Sequence, residues 1–275
     1  MGPAVSLVEN PNGFAYFMTL MIPLYLYFYQ KSHHKYIRLG FLGLALAAVY
    51  IVLNTGSRTG LLALIAVGAF LLPKYGAQHK MTIVVAVVAV AVFASSLGAM
   101  NIQRFKSIPQ SIASFLSGEE EKPVSEMNQD EQSAYERKMK NKHTFSLFLH
   151  YPIFGVGLKA NDNLVMEKFH YAGGQVHNEI LYAAKQMGLV GMLLYLSFMR
   201  MIFVYGSRIQ KEYKQSWPVL SDLGWTFKMQ AVVFMVGGFF SPIPWNPLYL
   251  IIAGSASALL ANLENRSYNL ASESI

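Results

Sequence analysis

A histidine, two arginines and the polar residues around them are the parts of this chain whose types and spacing suit chemistry. His177-Asn178-Glu179 opens a long apolar run, so an imidazole sits at the seam between a polar segment and an apolar helix. With an unperturbed pKa of about 6.5, an imidazole there suits proton transfer. It suits equally the plainer task of capping or anchoring a helix at an interface. Thr55-Gly56-Ser57-Arg58-Thr59-Gly60 sets one guanidinium between two apolar runs, flanked by glycines and hydroxyls. A planar fork of donors beside exposed backbone N–H groups can hold a phosphate oxygen; an arginine snorkelling to a membrane surface is the alternative. Arg137, Lys138, Lys140 and Lys142 form a third basic feature, either a solvated face or a source of positive charge for a site.

The elements that must position these residues are apolar helices. Of 275 residues, 53% are hydrophobic and 13% charged, the composition of a polytopic membrane protein rather than a soluble globule. The length rule predicts an all-α bundle of about seven transmembrane spans. They fall at 14–29, 37–53, 59–72, 81–100, 180–205, 227–240 and 247–263, the third and sixth being short. Cysteine is absent, which excludes disulfides, thiolate metal sites and cysteine nucleophiles. The net charge of +7 resembles a nucleic-acid signal, but much of it lies in short loops between spans and no nucleic-acid motif accompanies it.

Lysine and arginine in those loops set the orientation. Lys31, Lys35 and Arg38; Lys74 and Lys80; and Arg200, Arg208, Lys211 and Lys214 occupy three loops expected on the cytoplasmic side. The other connections then face outward, among them residues 101–176, a large extracytoplasmic loop between spans four and five. That loop is expected to hold a surface helix over 101–116, a flexible acidic excursion over 118–131, and a helix over 135–150. In the last of these, Met139, Phe145, Phe148 and Leu149 are expected to face the bundle. Tyr151-Pro152-Ile153-Phe154-Gly155-Val156-Gly157 stops it in a tight turn. Residues 1–263 make the membrane domain and 264–275 a polar tail, expected to be cytoplasmic and disordered. Asn10-Pro11-Asn12-Gly13 marks a turn at which the first helix starts, the apolar run beginning directly after it, and Pro23 is expected to kink that helix.

Taken in order, these motifs resemble the O-antigen ligase and polymerase superfamily of bacterial membrane proteins. The match rests on Asn10-Pro11-Asn12-Gly13-Phe14-Ala15; Gly56-Ser57-Arg58-Thr59-Gly60; Arg137 with the helix running into Tyr151-Pro152-Ile153-Phe154-Gly155-Val156-Gly157; and His177-Asn178 followed after nine residues by Gly188. The resemblance implies a glycosyltransferase that moves a glycan from an undecaprenyl-pyrophosphate carrier to an acceptor, lipid A core or a growing polysaccharide, on the outer side of the bacterial inner membrane. It implies that Arg58 and Arg137 hold the pyrophosphate and that His177 is the general base, with Asn178, Ser57 and Gly188 in support. No cofactor is implied, and no carboxylate cluster beside these residues suggests a metal. The chain departs from the family pattern at Gly191, where ligases often carry threonine, and at Asn141, where many relatives carry an aromatic residue. Such proteins usually place further spans before the Asn-Pro-Asn stretch, so the chain is expected to lack N-terminal spans. A transporter or flippase, or an inactive fragment of the glycan enzyme, are the competing readings.

Overall fold

The computed structural model describes residues 11–75, 129–157, 176, 178–240 and 247–273. The span expected at 81–100, the surface helix expected at 101–116, most of the expected acidic excursion, residues 241–246 and His177 lie outside the described residues. Those described form seven α-helices and no strand: α1 (Pro11–Lys31), α2 (Lys35–Asn54), α3 (Arg58–Tyr75), α4 (Gln129–His150), α5 (Glu179–Glu212), α6 (Pro218–Phe240) and α7 (Pro247–Glu273). Three of them, α2, α5 and residues 218–239 of α6, are long and apolar enough to cross a bilayer, and residues 58–71 of α3 form a shorter apolar helix.

α6 is the central helix. Its most apolar window is 56% buried, against 22% for α2 and for α5, which leave most of their apolar surface facing outward. In water such exposure would be unfavourable; in lipid it costs nothing. The core runs along α6 through Met229, Val233 and Phe234, meeting Tyr16 and Leu20 of α1, Ile202 and Ile209 of α5 and Ala253 and Ala256 of α7. α5 and α6 approach most closely at Gly206 and Gly224: a Cβ on either would lie 2.6 Å from the other's carbonyl oxygen. Backbones can meet at that distance only where side chains are missing.

Four expectations are corrected. α1 begins at Pro11, before the expected span boundary at residue 14, so the motif is a helix start with Asn12 and Gly13 in the first turn; proline is well suited to a first helical position, having no N–H to leave unpaired. α6 begins at Pro218, well before residue 227. The polar residues that hid its first turns are paired: Lys31 Nζ meets Asp222 at 2.6 Å, the Ser221 hydroxyl donates to the Gln210 carbonyl at 2.8 Å, and Lys228 donates to the Gln210 side chain at 3.0 Å. α7 continues to Glu273, so the tail is helical through 264–273 and not disordered; Arg208 binds Glu264 at 2.6 Å at its start. Finally, α4 turns Thr144 and Leu147 to the bundle, while Phe145 and Leu149 are 50% and 59% exposed.

Pro23 lies inside α1 and, having no N–H, leaves a break in its hydrogen-bond ladder. Buried Gln230 of α6 points its amide at the Leu20 carbonyl beside the break, 3.5 Å away.

Candidate functional site

The motifs singled out by sequence meet in pairs. In the first pair, α2 ends at a left-handed Gly56 (φ +63°) and Ser57 starts α3 immediately. Ser57 Oγ accepts from the Gly60 N–H at 3.1 Å, as an N-cap should, and donates to Asn12 Oδ1 at 2.7 Å. Thr55 tightens the turn, its hydroxyl donating to the Val52 carbonyl at 2.6 Å and accepting from the Ser57 N–H at 3.2 Å. Gly60 has no room for a side chain, since a Cβ would lie 2.8 Å from Ala15 and 2.8 Å from Val52. The Asn-Pro-Asn-Gly and Gly-Ser-Arg-Thr-Gly motifs are therefore two halves of one α1–α3 contact. Arg58, the first residue of α3, is half-buried beside it.

In the second pair, the turn over 151–157 docks into a break in α5. Gly188 has φ +63° and ψ −153°, a region open in practice to glycine alone. The break exposes backbone groups of α5, and the turn takes them up on both sides. Val156 N–H donates to the Lys185 carbonyl and Gly157 N–H to that of Gln186, both at 2.9 Å; Leu189 N–H donates to the Pro152 carbonyl at 2.7 Å and Val190 N–H to that of Ile153 at 3.4 Å. A Cβ on Gly188 would overlap the Ile153 carbonyl, and one on Gly155 (φ +67°) would lie 2.5 Å from the Lys185 oxygen. Gly188 is thus the fixed point of the motif, and its partner is the turn that ends the Arg137 helix.

This break corrects the expectation of a continuous span over 180–205. Tyr195 donates to Glu179 Oε2 at 2.5 Å, yet sixteen residues of unbroken helix would separate their backbones by about 24 Å. A Cβ on Gly191 would likewise lie 3.0 Å from the Ala183 carbonyl oxygen. The two pieces of α5 bend sharply toward each other at Gly188. The turns before it cannot add to the membrane-crossing length of residues 189–212.

α6 joins the two pairs through adjacent glycines. A Cβ on Gly237 would overlap the ring of Tyr16 in α1, and a Cβ on Gly238 would lie 2.5 Å from Glu179 Oε2 and 2.6 Å from Tyr195 Oη in α5. Tyr16 also packs edge-on against Phe234, centroids 6.1 Å apart. The starts of α1, α3 and α5 and the end of α6 therefore share one end of the bundle. The opposite end carries the Lys31–Asp222 and Arg208–Glu264 ion pairs.

Of the residues selected by sequence, Ser57 is the cap of α3 and the partner of Asn12. Asn178 is the N-cap of α5: its backbone is extended (φ −150°, ψ 116°) and its Oδ1 accepts from the Leu181 N–H at 3.0 Å. Gly188 is the bend. Arg137 is half-buried on α4, which packs on α5, whereas Lys138 and Lys142 are exposed and Lys140 lies 3.9 Å from Glu136. Asn141, one turn beyond Arg137, has a buried Oδ1 with no hydrogen-bond partner among the described residues. His177 lies outside the described residues, but its chain neighbours Val176 and Asn178 are both buried.

Sequence reasoning missed Glu179, Tyr195 and the Gly237-Gly238 pair. A carboxylate in a first helical turn reads as routine dipole complementarity, and a tyrosine in an apolar run reads as packing. The glycine pair inside an apolar helix was the available signal for close approach.

Compared with known families, residues 42–196, more than half the chain, match the model of the family described as O-antigen ligase. The match contains Ser57, Arg58, Arg137, Asn178 and Gly188, together with Glu179 and Tyr195; Asn12 and α6 lie outside it. A comparison with curated proteins finds no match.

Proposed function

The chain belongs to the O-antigen ligase family of membrane glycosyltransferases, and we propose that it transfers a glycan from an undecaprenyl-pyrophosphate carrier to an acceptor hydroxyl on the outer face of the bacterial inner membrane. The acceptor oxygen attacks the anomeric carbon while the bond from that carbon to the pyrophosphate oxygen breaks. His177 takes the hydroxyl proton. The lipid pyrophosphate leaves, and its growing negative charge falls on the guanidiniums of Arg58 and Arg137. In this reading the two arginines do what a metal ion would otherwise do. Asn178 begins α5 directly after the base, Ser57 holds the turn that presents Arg58, and Gly188 anchors the turn that ends the Arg137 helix. The seven-span topology, with 101–176 as the outer loop, belongs to the same proposal.

One observation carries this reading: the motif segments interlock as Asn12–Ser57 and Gly155–Gly188 and are joined across Gly237-Gly238 at one end of the bundle. Such an arrangement suits a reaction site at a membrane surface better than a path through the bundle, whose core is apolar.

The test is glycan transfer in a host lacking its own ligase and polymerase. His177→Ala and Arg58→Ala are expected to abolish transfer at unchanged membrane abundance. A base mechanism also predicts that kcat falls as pH is lowered through the imidazole range, because the protonated ring cannot accept a proton. Ordinary glycan assembly by both variants would refute this mechanism and favour a transporter.

A further inference from the structure

Among the described residues, Glu179 is the most deeply buried charged side chain, at 1% exposure. Removing a carboxylate from water inside an apolar bundle is unfavourable, so its place calls for an account. Features of the fold offset the cost. Glu179 is the first residue of α5, where unpaired N–H groups favour negative charge. Tyr195 donates its hydroxyl to Oε2. α6 offers Gly238 opposite, leaving room for the carboxylate and phenol and for no side chain of its own.

The Glu179–Tyr195 hydrogen bond also spans the Gly188 bend, with one partner on each side. Apolar packing alone would fill this space without fixing an angle, because dispersion and burial are non-directional. A hydrogen bond across a bend fixes one. It closes the angle between the short first piece of α5 and the long second piece, while the turn over 151–157 braces the bend from outside. Asn178, cap of the short piece, is covalently next to Glu179 and is itself buried.

We propose that Glu179 is a positioning residue: held by Tyr195 against Gly238, it sets the angle of the first turns of α5 and so the placement of the Asn178 segment at the candidate site. This rests on the glycan-transfer reading for its functional consequence, while its structural part stands apart from that reading.

The test uses the full chain, purified in detergent, as Glu179→Gln, Glu179→Ala and Tyr195→Phe. Backbone amide exchange across residues 180–187 is expected to accelerate about tenfold or more in Glu179→Ala and Tyr195→Phe, with exchange in α2 unchanged. Glu179→Gln keeps an acceptor oxygen of the same reach and is expected to exchange as the unmodified protein does. In transfer assays, Glu179→Ala and Tyr195→Phe should lower kcat about tenfold with KM for the lipid-linked donor within about twofold. Glu179→Gln should restore kcat to within about threefold, with an unshifted pH profile. Unaltered exchange in Glu179→Ala and Tyr195→Phe would overturn the proposal. So would a Glu179→Gln protein as inactive as Glu179→Ala, since the ionisable group itself would then be required. If exchange responds as expected but the unmodified protein transfers no glycan, the strut is upheld and the glycan-transfer reading is what fails.

Discussion

Gly155 packs directly on the backbone of Gly188: a Cβ on Gly155 would lie 2.6 Å from the Gly188 nitrogen, a Cβ on Gly188 would overlap the Ile153 carbonyl next to it, and both glycines have positive φ. Gly188→Ala combines backbone strain with overlap of the docked turn, so it should destabilise the protein by about 3 kcal/mol or more. Unfolding in mixed detergent and denaturant measures this. Gly43→Ala and Gly68→Ala serve as controls, because a Cβ at either meets nothing within 4 Å. Alanine there should be neutral or slightly stabilising. Equal stability of Gly188→Ala and these controls would contradict the docked bend.

The Asn12–Ser57 bond predicts an asymmetric pair of mutants. Ser57→Ala loses both the α3 cap and the link to α1, and should cost about 1–2 kcal/mol. Asn12→Ala keeps the cap and loses the link, and should cost about 1 kcal/mol. The double mutant should be less destabilised than the sum, and a coupling of about 0.5–1 kcal/mol in the cycle would measure the hydrogen bond.

Charge geometry separates the arginines from the lysines beside them. Arg58→Lys keeps the charge and loses the bidentate fork, and should lower kcat about tenfold, against about a hundredfold for Arg58→Ala. Half-buried Arg137→Ala should behave like Arg58→Ala, whereas exposed Lys138→Ala should stay within about twofold. Equal effects at positions 137 and 138 would point to a diffuse basic face.

Asn141 carries a buried acceptor without a partner among the described residues, a group that costs about 1–3 kcal/mol when desolvated. Asn141→Leu keeps a similar volume without the polar atom. It is expected to raise stability by about 1 kcal/mol in the same unfolding assay; a loss of stability would mean that the oxygen is bound in the membrane-embedded protein.

Orientation can be read by cysteine labelling, since the chain has no cysteine of its own. Ser32 and Ser216 flank the helix ends joined by the Lys31–Asp222 pair and should label from the cytoplasmic side; Asn54 should label from outside. Labelling of Asn54 from the cytoplasm would place the motif-bearing end on the wrong face for a lipid-linked donor used outside.

The helical class of the described residues and the family were legible in the sequence because each depends on local signals. Blocks of apolar residues define α1, α2, α3, α5 and α7, and the stretch that matches the family contains Arg58, Arg137, Asn178 and Gly188 in order. The early start of α6 was hidden because Asp222 and Lys228 interrupt its hydropathy, and only their partners Lys31 and Gln210, distant in the chain, make them acceptable there. The buried stripe of α4 was misread because Phe145 and Leu149 are apolar on either face of a helix beside a membrane.

The roles of the glycines were decided by tertiary structure alone. Sequence shows that nine residues separate Asn178 from Gly188, but a glycine in an apolar helix is equally a packing notch. Its backbone lies in a glycine-only region because Pro152, Ile153, Val156 and Gly157 bond to the groups that the break exposes. Glu179 shows the same limit: its meaning depends on Tyr195 beyond the bend and on Gly238 in another helix. Hydropathy and periodicity report what one residue prefers; a bend, a clasp or a buried carboxylate is set by which backbone atoms and side chains meet across the bundle.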